Sequence, residues 1–267
     1  MDDLQRLMDA VHKSPKYARV CEDVVRGIGA RELAARRSLK EAIKATKNKL
    51  HQVGGAYLAG ELPYVRWSAE LQAAASAGDT ERLRSICLQA MQQHASTRER
   101  LPILEAFYAQ TLAALPPPQV VLDVACGLNP LAIPWMGLPP SVQYYACDIY
   151  ADMVEFIDEF LRVVHVAGEA QVCDVSHIPP TRRADLAVLL KTLPCIEQLD
   201  KSAGLRLLET VNAEHLLVSF TVRSLGGRGK GMRENYEAHL RELLVGKPWP
   251  VQRFEFDTEL AFLIHKA

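Results

Sequence analysis

Four groups of residues in this chain of 267 could do chemistry. The first is QVVLDVACGLNP, Gln119 to Pro130, an apolar run through Asp123 that ends in Ala125, Cys126 and a single Gly127. It predicts a strand buried on both faces, followed by a tight turn at which a nucleotide-like ligand can approach the backbone closely. A dinucleotide fingerprint needs three glycines, so the motif alone does not specify one. The second group is a pair of carboxylates. Asp148 follows Gly127 by 21 residues, the spacing at which an acid at the next strand end accepts from ribose hydroxyls. Asp174 closes the strand after that and could accept from an adenine amino group, with Val175 and Leu190 offering apolar contact to the ring. Either aspartate could instead cap the following helix.

The third group is HASTRER, residues 94 to 100. Ser96 and Glu99 have capping-box spacing, and a helix N-terminus carrying Arg98 and Arg100 suits a carboxylate or phosphate. The fourth is Arg223 to Arg233, RSLGGRGKGMR, with four glycines and four cations but no acid, which suits a phosphate backbone. A P-loop is excluded because no Ser or Thr follows Lys230.

The elements that must position these groups divide into two regions. Residues 1–115 read as helical throughout, with helix starts signalled at Ser14-Pro15, at Ser38 with Glu41, and at Asp79 before 80–93. From Lys13 to Leu50 there are eleven Lys or Arg against four Asp or Glu, although the whole chain carries −1. On the helix through Leu39, Ile43 and Leu50, the cations Lys40, Lys44, Lys47 and Lys49 follow Arg36 and Arg37, giving a basic face that reads as a nucleic-acid footprint or as a solvated surface. From residue 116 the pattern becomes α/β. Strands are predicted at 120–125, 143–149, 170–175, 185–191, 215–222, 251–257 and 259–265, with helices near 151–164, 203–211 and 232–245. This is a seven-stranded, mainly parallel sheet closed by a C-terminal antiparallel hairpin at Asp257-Thr258. The six cysteines lack CxxC or Cys/His ligand spacing, so buried reduced thiols and no metal are expected. No apolar run is long enough to cross a bilayer, and the acidic N-terminus lacks a signal-peptide core, so a cytoplasmic location is expected.

With these residues in hand, the chain closely resembles the aminoglycoside-resistance 16S rRNA (guanine-N7)-methyltransferases of the Arm/Rmt family. The resemblance rests on Gly54-Gly55-Ala56-Tyr57, HASTRER, LDVACGLNPLAI at 122–133, Cys147-Asp148-Ile149, Asp174-Val175, LKTLP at 190–194 with Glu197, and SFTVRSLGGRGKGM at 219–232. It implies a Rossmann-like S-adenosylmethionine-dependent methyltransferase fold (116–267) behind an N-terminal helical domain (1–115) that docks on rRNA. Residue by residue, it implies that Arg100 pairs with the methionine carboxylate within the segment of His94, Ser96, Thr97 and Arg98. Ala125 and Gly127 lie against the cofactor, Asp148 holds the ribose, and Asp174, Val175 and Leu190 take the adenine. Tyr57 closes over the methionine end, and Gln198 or Leu199 completes the pocket. Family members often have Phe where Leu190 stands and Lys where Arg98 stands.

The implied substrate is the decoding-site guanine of the assembled 30S subunit. It would be gripped by Arg36, Arg37, Lys40, Lys44, Lys47 and Lys49 and by Arg223, Arg228, Lys230 and Arg233, the enzyme acting as a monomer. Guanine N7 presents a free lone pair and need lose no proton before attacking a methyl, so no general base is expected and positioning supplies the acceleration. Two alternatives stay open: an adenine-N1 methyltransferase of the same site, and a non-catalytic RNA-binding or assembly factor.

Overall fold

The structure, a computed structural model, describes residues 2–58, 60–222 and 231–266. Its helical N-terminal region comprises α1 (Asp3–His12), α2 (Glu22–Ala35), α3 (Leu39–Leu50), α4 (Tyr64–Ser76), α5 (Thr80–Met91), α6 (Ala95–Arg100) and α7 (Leu104–Leu112). Two starts form as the sequence signals. Ser38 Oγ accepts from Glu41 N at 3.3 Å, and Asp79 Oδ1 accepts from Arg82 N at 2.9 Å, each satisfying an orphan donor of the first turn. Ser14 leads into a short 3₁₀ turn without a side-chain cap. The Ser96–Glu99 capping box does not form: α6 starts one residue before Ser96, with His94 at its N-cap position. Arg98 and Arg100 accordingly lie in the last turn of α6, not at an anion-binding N-terminus. Pro102, which has no N–H to donate, interrupts the run between α6 and α7 with a 3₁₀ turn at Leu101–Ile103.

The remaining elements alternate: β1 (Val120–Val124), α8 (Ile133–Met136), β2 (Gln143–Asp148), α9 (Ala151–Val163), β3 (Ala167–Val172), β4 (Ala184–Leu190), α10 (Thr192–Ile196), α11 (Ala203–Thr210), β5 (Ala213–Thr221), α12 (Met232–Leu243), β6 (Val251–Glu255) and β7 (Glu259–His265). The strands make one seven-stranded sheet in the order β3-β2-β1-β4-β5-β7-β6, parallel through β5, with β7 inserted antiparallel between β5 and the edge strand β6. Strand order reverses between β1 and β4, and in such sheets the ligand crevice lies off the carboxyl ends at that point.

The period-2 alternation of the strands supplies both faces of the core. Val121, Leu217, Ala261 and Leu263 join an apolar cluster that continues without a break into α1 to α5 and α7. Leu122, Val124, Val218, Phe220, Phe262 and Ile264 point the other way, into a cluster that Leu193, Leu207, Leu208 and Leu240 of α10, α11 and α12 complete. The N-terminal helices therefore share their core with one face of the sheet. They are also stitched to it by backbone: Cys21 N donates to Ile149 O at 2.7 Å and Ala151 N to Arg19 O at 2.8 Å, beside the end of β2.

One strand differs from expectation. The third runs from Ala167 to Val172 instead of 170–175, because its register follows β2, whose last residue Asp148 pairs with Val172. Its outward face is exposed, so no apolar alternation marks its ends, and it begins on Ala167-Gly168, which have poor strand propensity. Gly168 is required there. At φ +132° it lies so close to β2 that an added Cβ would sit 1.9 Å from Tyr144 O. Gly168→Ala should therefore lower the unfolding free energy by about 1–3 kcal/mol, measured as a shifted urea midpoint at unchanged slope.

Candidate active site

Two backbone reversals shape a cleft off the carboxyl ends of β1, β2 and β4. After β1, Ala125 and Gly127 both take φ +53°; after β4, Lys191 takes φ +60°. Non-glycine residues held in this region cost free energy and concentrate at functional sites, and both of these line the cleft. The Ala125 turn also explains why β1 stops at Val124. Gly127 has a steric reason to lack a side chain, since a Cβ there would meet His94 Cε1 at 2.6 Å.

Asp148 and Asp174 share this cleft. Asp148, at the tip of β2, is buried; it accepts from Gly127 N at 2.9 Å and from Ile149 N at 2.7 Å, so the acid fixes the turn after β1 to the end of β2. Burial raises its pKa, and these N–H donors only partly offset that. Asp174 lies two residues beyond β3 and does not close it; its Oδ1 accepts from the N and Oγ of Ser176, which also lines the cleft. Val175, Leu190 and Leu199 form apolar walls of the cleft.

The helical region supplies the remaining wall with Val24, Val53, Gly54 and Tyr57. Tyr57 stacks on His94 with ring centroids 6.0 Å apart, its hydroxyl 3.0 Å from Cys195 Sγ, and its carbonyl accepts from Ala95 N at 2.8 Å. His94 and Ser96 line the cleft as well. Burial, with Lys191, Arg100 and Arg98 nearby, lowers the His94 pKa to about 3, so the ring is neutral at ordinary pH and a weak base. Its Nδ1 is buried without a hydrogen-bond partner among the described residues, a donor or acceptor left for a ligand.

Four expected cofactor residues are not on the cleft wall. Thr97 donates internally, to Met91 O and His94 O; Arg98 is exposed; Gln198 gives its carbonyl to Lys49 Nζ at 2.8 Å. Arg100, 1% exposed, lies behind the wall: its Nε and Nη2 bond the Glu259 carboxylate, the closest contact 2.8 Å, and its Nη1 donates to Asn129 Oδ1 at 2.9 Å. Lys191, on the cleft, joins this group through Glu99 at 2.8 Å and Glu259 at 3.4 Å. Sequence reasoning missed Lys191, Thr192 and Cys195 as lining residues, although all three follow Leu190 directly or nearly so. Tyr150, one residue beyond Cys147-Asp148-Ile149, was missed too.

The basic surfaces divide. Arg36, Arg37, Lys40 and Lys44 are exposed, Arg36 in an ion pair with Glu32 at 2.9 Å, whereas Lys47 bonds Ser14 Oγ and Lys49 the Gln198 carbonyl, tying α3 to its surroundings. Arg233 pairs with Glu255 at 3.2 Å. Arg223, Arg228 and Lys230 lie outside the described residues. All six cysteines are free. Among the described residues, Glu214, His215 and His265 bring metal-competent atoms within 4.8 Å of one another, but they sit where β5 begins, at the end of the sheet away from the cleft.

On the face that carries Arg100, Asp123 accepts from Asn129 Nδ2 at 2.9 Å and from the Tyr144 hydroxyl at 2.7 Å. Burial nevertheless pushes its pKa up to about 7. The folded state thus holds this proton more tightly than the unfolded chain. Its stabilising effect is complete below about pH 4 and fades as pH rises through about 7. Asp123→Asn should flatten the fall in stability between about pH 4 and pH 7, removing a slope of at most about 1.4 kcal/mol per pH unit in urea titrations.

The comparisons with known proteins agree with this geometry. A family model described as ribosomal RNA methyltransferase (FmrO) matches residues 13–263. A 16S rRNA (guanine(1405)-N(7))-methyltransferase of Frankia casuarinae is 39% identical over 266 residues, covering 98% of this chain and 94% of the relative. One of the same name from Serratia marcescens is 36% identical, covering 97% of each. Among solved structures, the 16S rRNA methyltransferase RmtF in complex with S-adenosyl-L-homocysteine superposes with a TM-score of 0.87 at 31% identity over the full length of both chains. The 16S rRNA methylase RmtB gives 0.79 at 30%, covering 99% of this chain and 98% of RmtB. A Rossmann-like sheet, a cleft walled by acids at and just beyond the ends of consecutive strands, and a match across nearly the whole length together place this chain in the FmrO family of ribosomal RNA methyltransferases.

Proposed function

We propose that this chain transfers the methyl group of S-adenosylmethionine to N7 of a decoding-site guanine of 16S rRNA, and that it does so on the assembled 30S subunit in the cytoplasm, conferring aminoglycoside resistance. The observation that carries the reading is the cleft in which Asp148 and Asp174, from consecutive strands, face Tyr57 and His94 from the helical region. Bound there, S-adenosylmethionine supplies a methyl group made electrophilic by its sulfonium. Asp148 accepts from the ribose hydroxyls, Asp174 from the adenine amino group, and Val175 and Leu190 flank the ring. Ala125 and Gly127 bring backbone against the cofactor, while His94 and Ser96 face its methionine end below Tyr57. Lys191 meets the carboxylate end from the cleft wall, with Arg100 behind it on the same Glu259 carboxylate. No residue is asked to remove a proton, in keeping with the low basicity of His94.

The helical region, residues 1–115, is the docking part. Structured RNA is recognised by shape and phosphate contacts, and Arg37, Lys40 and Lys44 give α3 and the turn before it an exposed cationic surface. Arg36 extends it, and Arg233 is proposed to meet the rRNA as well, together with Arg223, Arg228 and Lys230, which lie outside the described residues. On this reading the enzyme works as a monomer.

Three expectations test this reading. Purified chain with labelled S-adenosylmethionine should methylate assembled 30S subunits at a guanine N7, detected by cleavage at the modified nucleotide. A label at adenine N1, or none on rRNA, would refute the assignment. Asp148→Ala should weaken cofactor binding by more than about tenfold, read by calorimetry, because two N–H groups and two ribose hydroxyls lose one acceptor. Reversing Lys40 and Lys44 to Glu should leave cofactor affinity intact while weakening 30S binding and lowering its salt slope by about one per lost phosphate contact.

A further inference from the structure

We infer that Glu214, His215 and His265 form a second site, at the end of the sheet away from the cleft, which takes a divalent transition cation of the zinc, cobalt or nickel class and thereby ties the last strand to β5. The inference is independent of the cofactor reading, and it revises the expectation, drawn from the cysteines alone, that the chain holds no metal.

Sheet register assembles the three residues. Because β5 and β7 run antiparallel, the first residues of β5 stand beside the last residue of β7, and His215 pairs directly with His265 although the two are 50 positions apart. His265 N donates to Pro250 O on the other side of β7, so its N–H is turned away from β5. The two histidines are therefore a non-hydrogen-bonded pair, the kind that brings facing side chains closest. Their rings stack with centroids 4.7 Å apart and planes 10° from parallel. Glu214, one residue before His215, places Oε1 3.9 Å from His265 Nε2. One ligand atom from each of the three residues lies within 4.8 Å of the other two.

The surroundings of these donors point to a ligand. His215 is 9% exposed, and among the described residues neither of its ring nitrogens has a hydrogen-bond partner, a state that buried polar groups seldom keep. The Glu214 carboxylate is too far from His265 for a hydrogen bond and meets no Lys or Arg among the described residues. Lys266, next to His265 in sequence, commits its ammonium to Leu208 O, Glu209 O and Val211 O at the end of α11. Two imidazoles and a carboxylate thus converge with no ammonium or guanidinium to satisfy them. Imidazole donors favour zinc, cobalt or nickel over magnesium or calcium, which take oxygen, and three protein ligands leave a position for water. Bonds of about 2.0–2.2 Å to one cation require the donors to draw together. The His265 and Glu214 side chains, 49% and 55% exposed, have room to turn toward His215, which packing holds in place.

The test titrates Co²⁺ into the full-length protein, free of any affinity tag and with its cysteines kept reduced by a phosphine, and follows the visible spectrum. A single Co²⁺ should bind per chain, with the ligand-field bands of a nitrogen–oxygen donor set and no thiolate-to-cobalt charge-transfer band, and Zn²⁺ should displace it. His265→Gln should weaken binding by about tenfold or more, and Glu214→Gln should give a smaller loss. Zn²⁺ should raise the urea midpoint of wild type and leave that of His265→Gln unmoved, because a ligand of the folded state alone stabilises it. Absence of Co²⁺ binding, a thiolate band, or an affinity unchanged in His265→Gln overturns the inference. His215→Asn should lose binding as His265→Gln does; should it fail to fold, His265→Gln, at a half-exposed position, decides by the same criterion.

Discussion

A fully ionised guanidinium with almost no access to water is the constraint on which the ligand end of this molecule depends. Arg100 must be neutralised where it stands, because an unpaired charge in the interior costs several kcal/mol or more. Its partners come from the turn after β1 and from the start of β7. One side chain thereby locks α6, the central strand and the C-terminal hairpin into a single arrangement. Asn129 passes that arrangement on: it accepts from Arg100 and Tyr108 and donates to Asp123. The backbone around Gly127 follows, and with it the hydrogen bond that Asp148, at the end of β2, accepts from Gly127 N.

The strained residues belong to the same frame. Ala125 and Lys191 lie past the tips of β1 and β4 in a conformation that costs of order 1–3 kcal/mol each. Each is held by packing on both sides of the switch point. Thr192 Oγ1 donates to Val124 O at 3.1 Å, joining the two reversals directly. The cleft is thus preformed by backbone, and the side chains on its walls have little freedom left to lose when a ligand arrives.

Much of this was legible in the sequence, and for physical reasons. Gly127 and Asp148 were found because a turn and the next strand tip are coupled at near-constant spacing, and the seven strands because apolar residues must alternate or run together to be buried on a sheet. Asp174 was found as a ligand candidate but misplaced on its strand, since an edge strand with one exposed face carries no strong pattern. Arg98 and Arg100 were put at a helix start because Ser96 and Glu99 have the spacing of a capping box; the backbone bond from Ala95 to Tyr57 sets the start earlier instead. Lys47 and Lys49 look like free cations on a helical wheel, yet their partners come from sequence positions tens of residues away. Glu259 gave no local signal at all.

That last separation has a kinetic side. Arg100 and Glu259 are 159 positions apart, and β7 can enter the sheet only between β5 and an edge strand that precedes it in the chain. Closing so long a loop is entropically costly and comes late in folding, after local helices and neighbouring parallel strands have formed. Until that hairpin is in place Arg100 lacks the carboxylate that neutralises it, so a ligand that binds only the finished cleft stabilises the fully threaded form over every incomplete one.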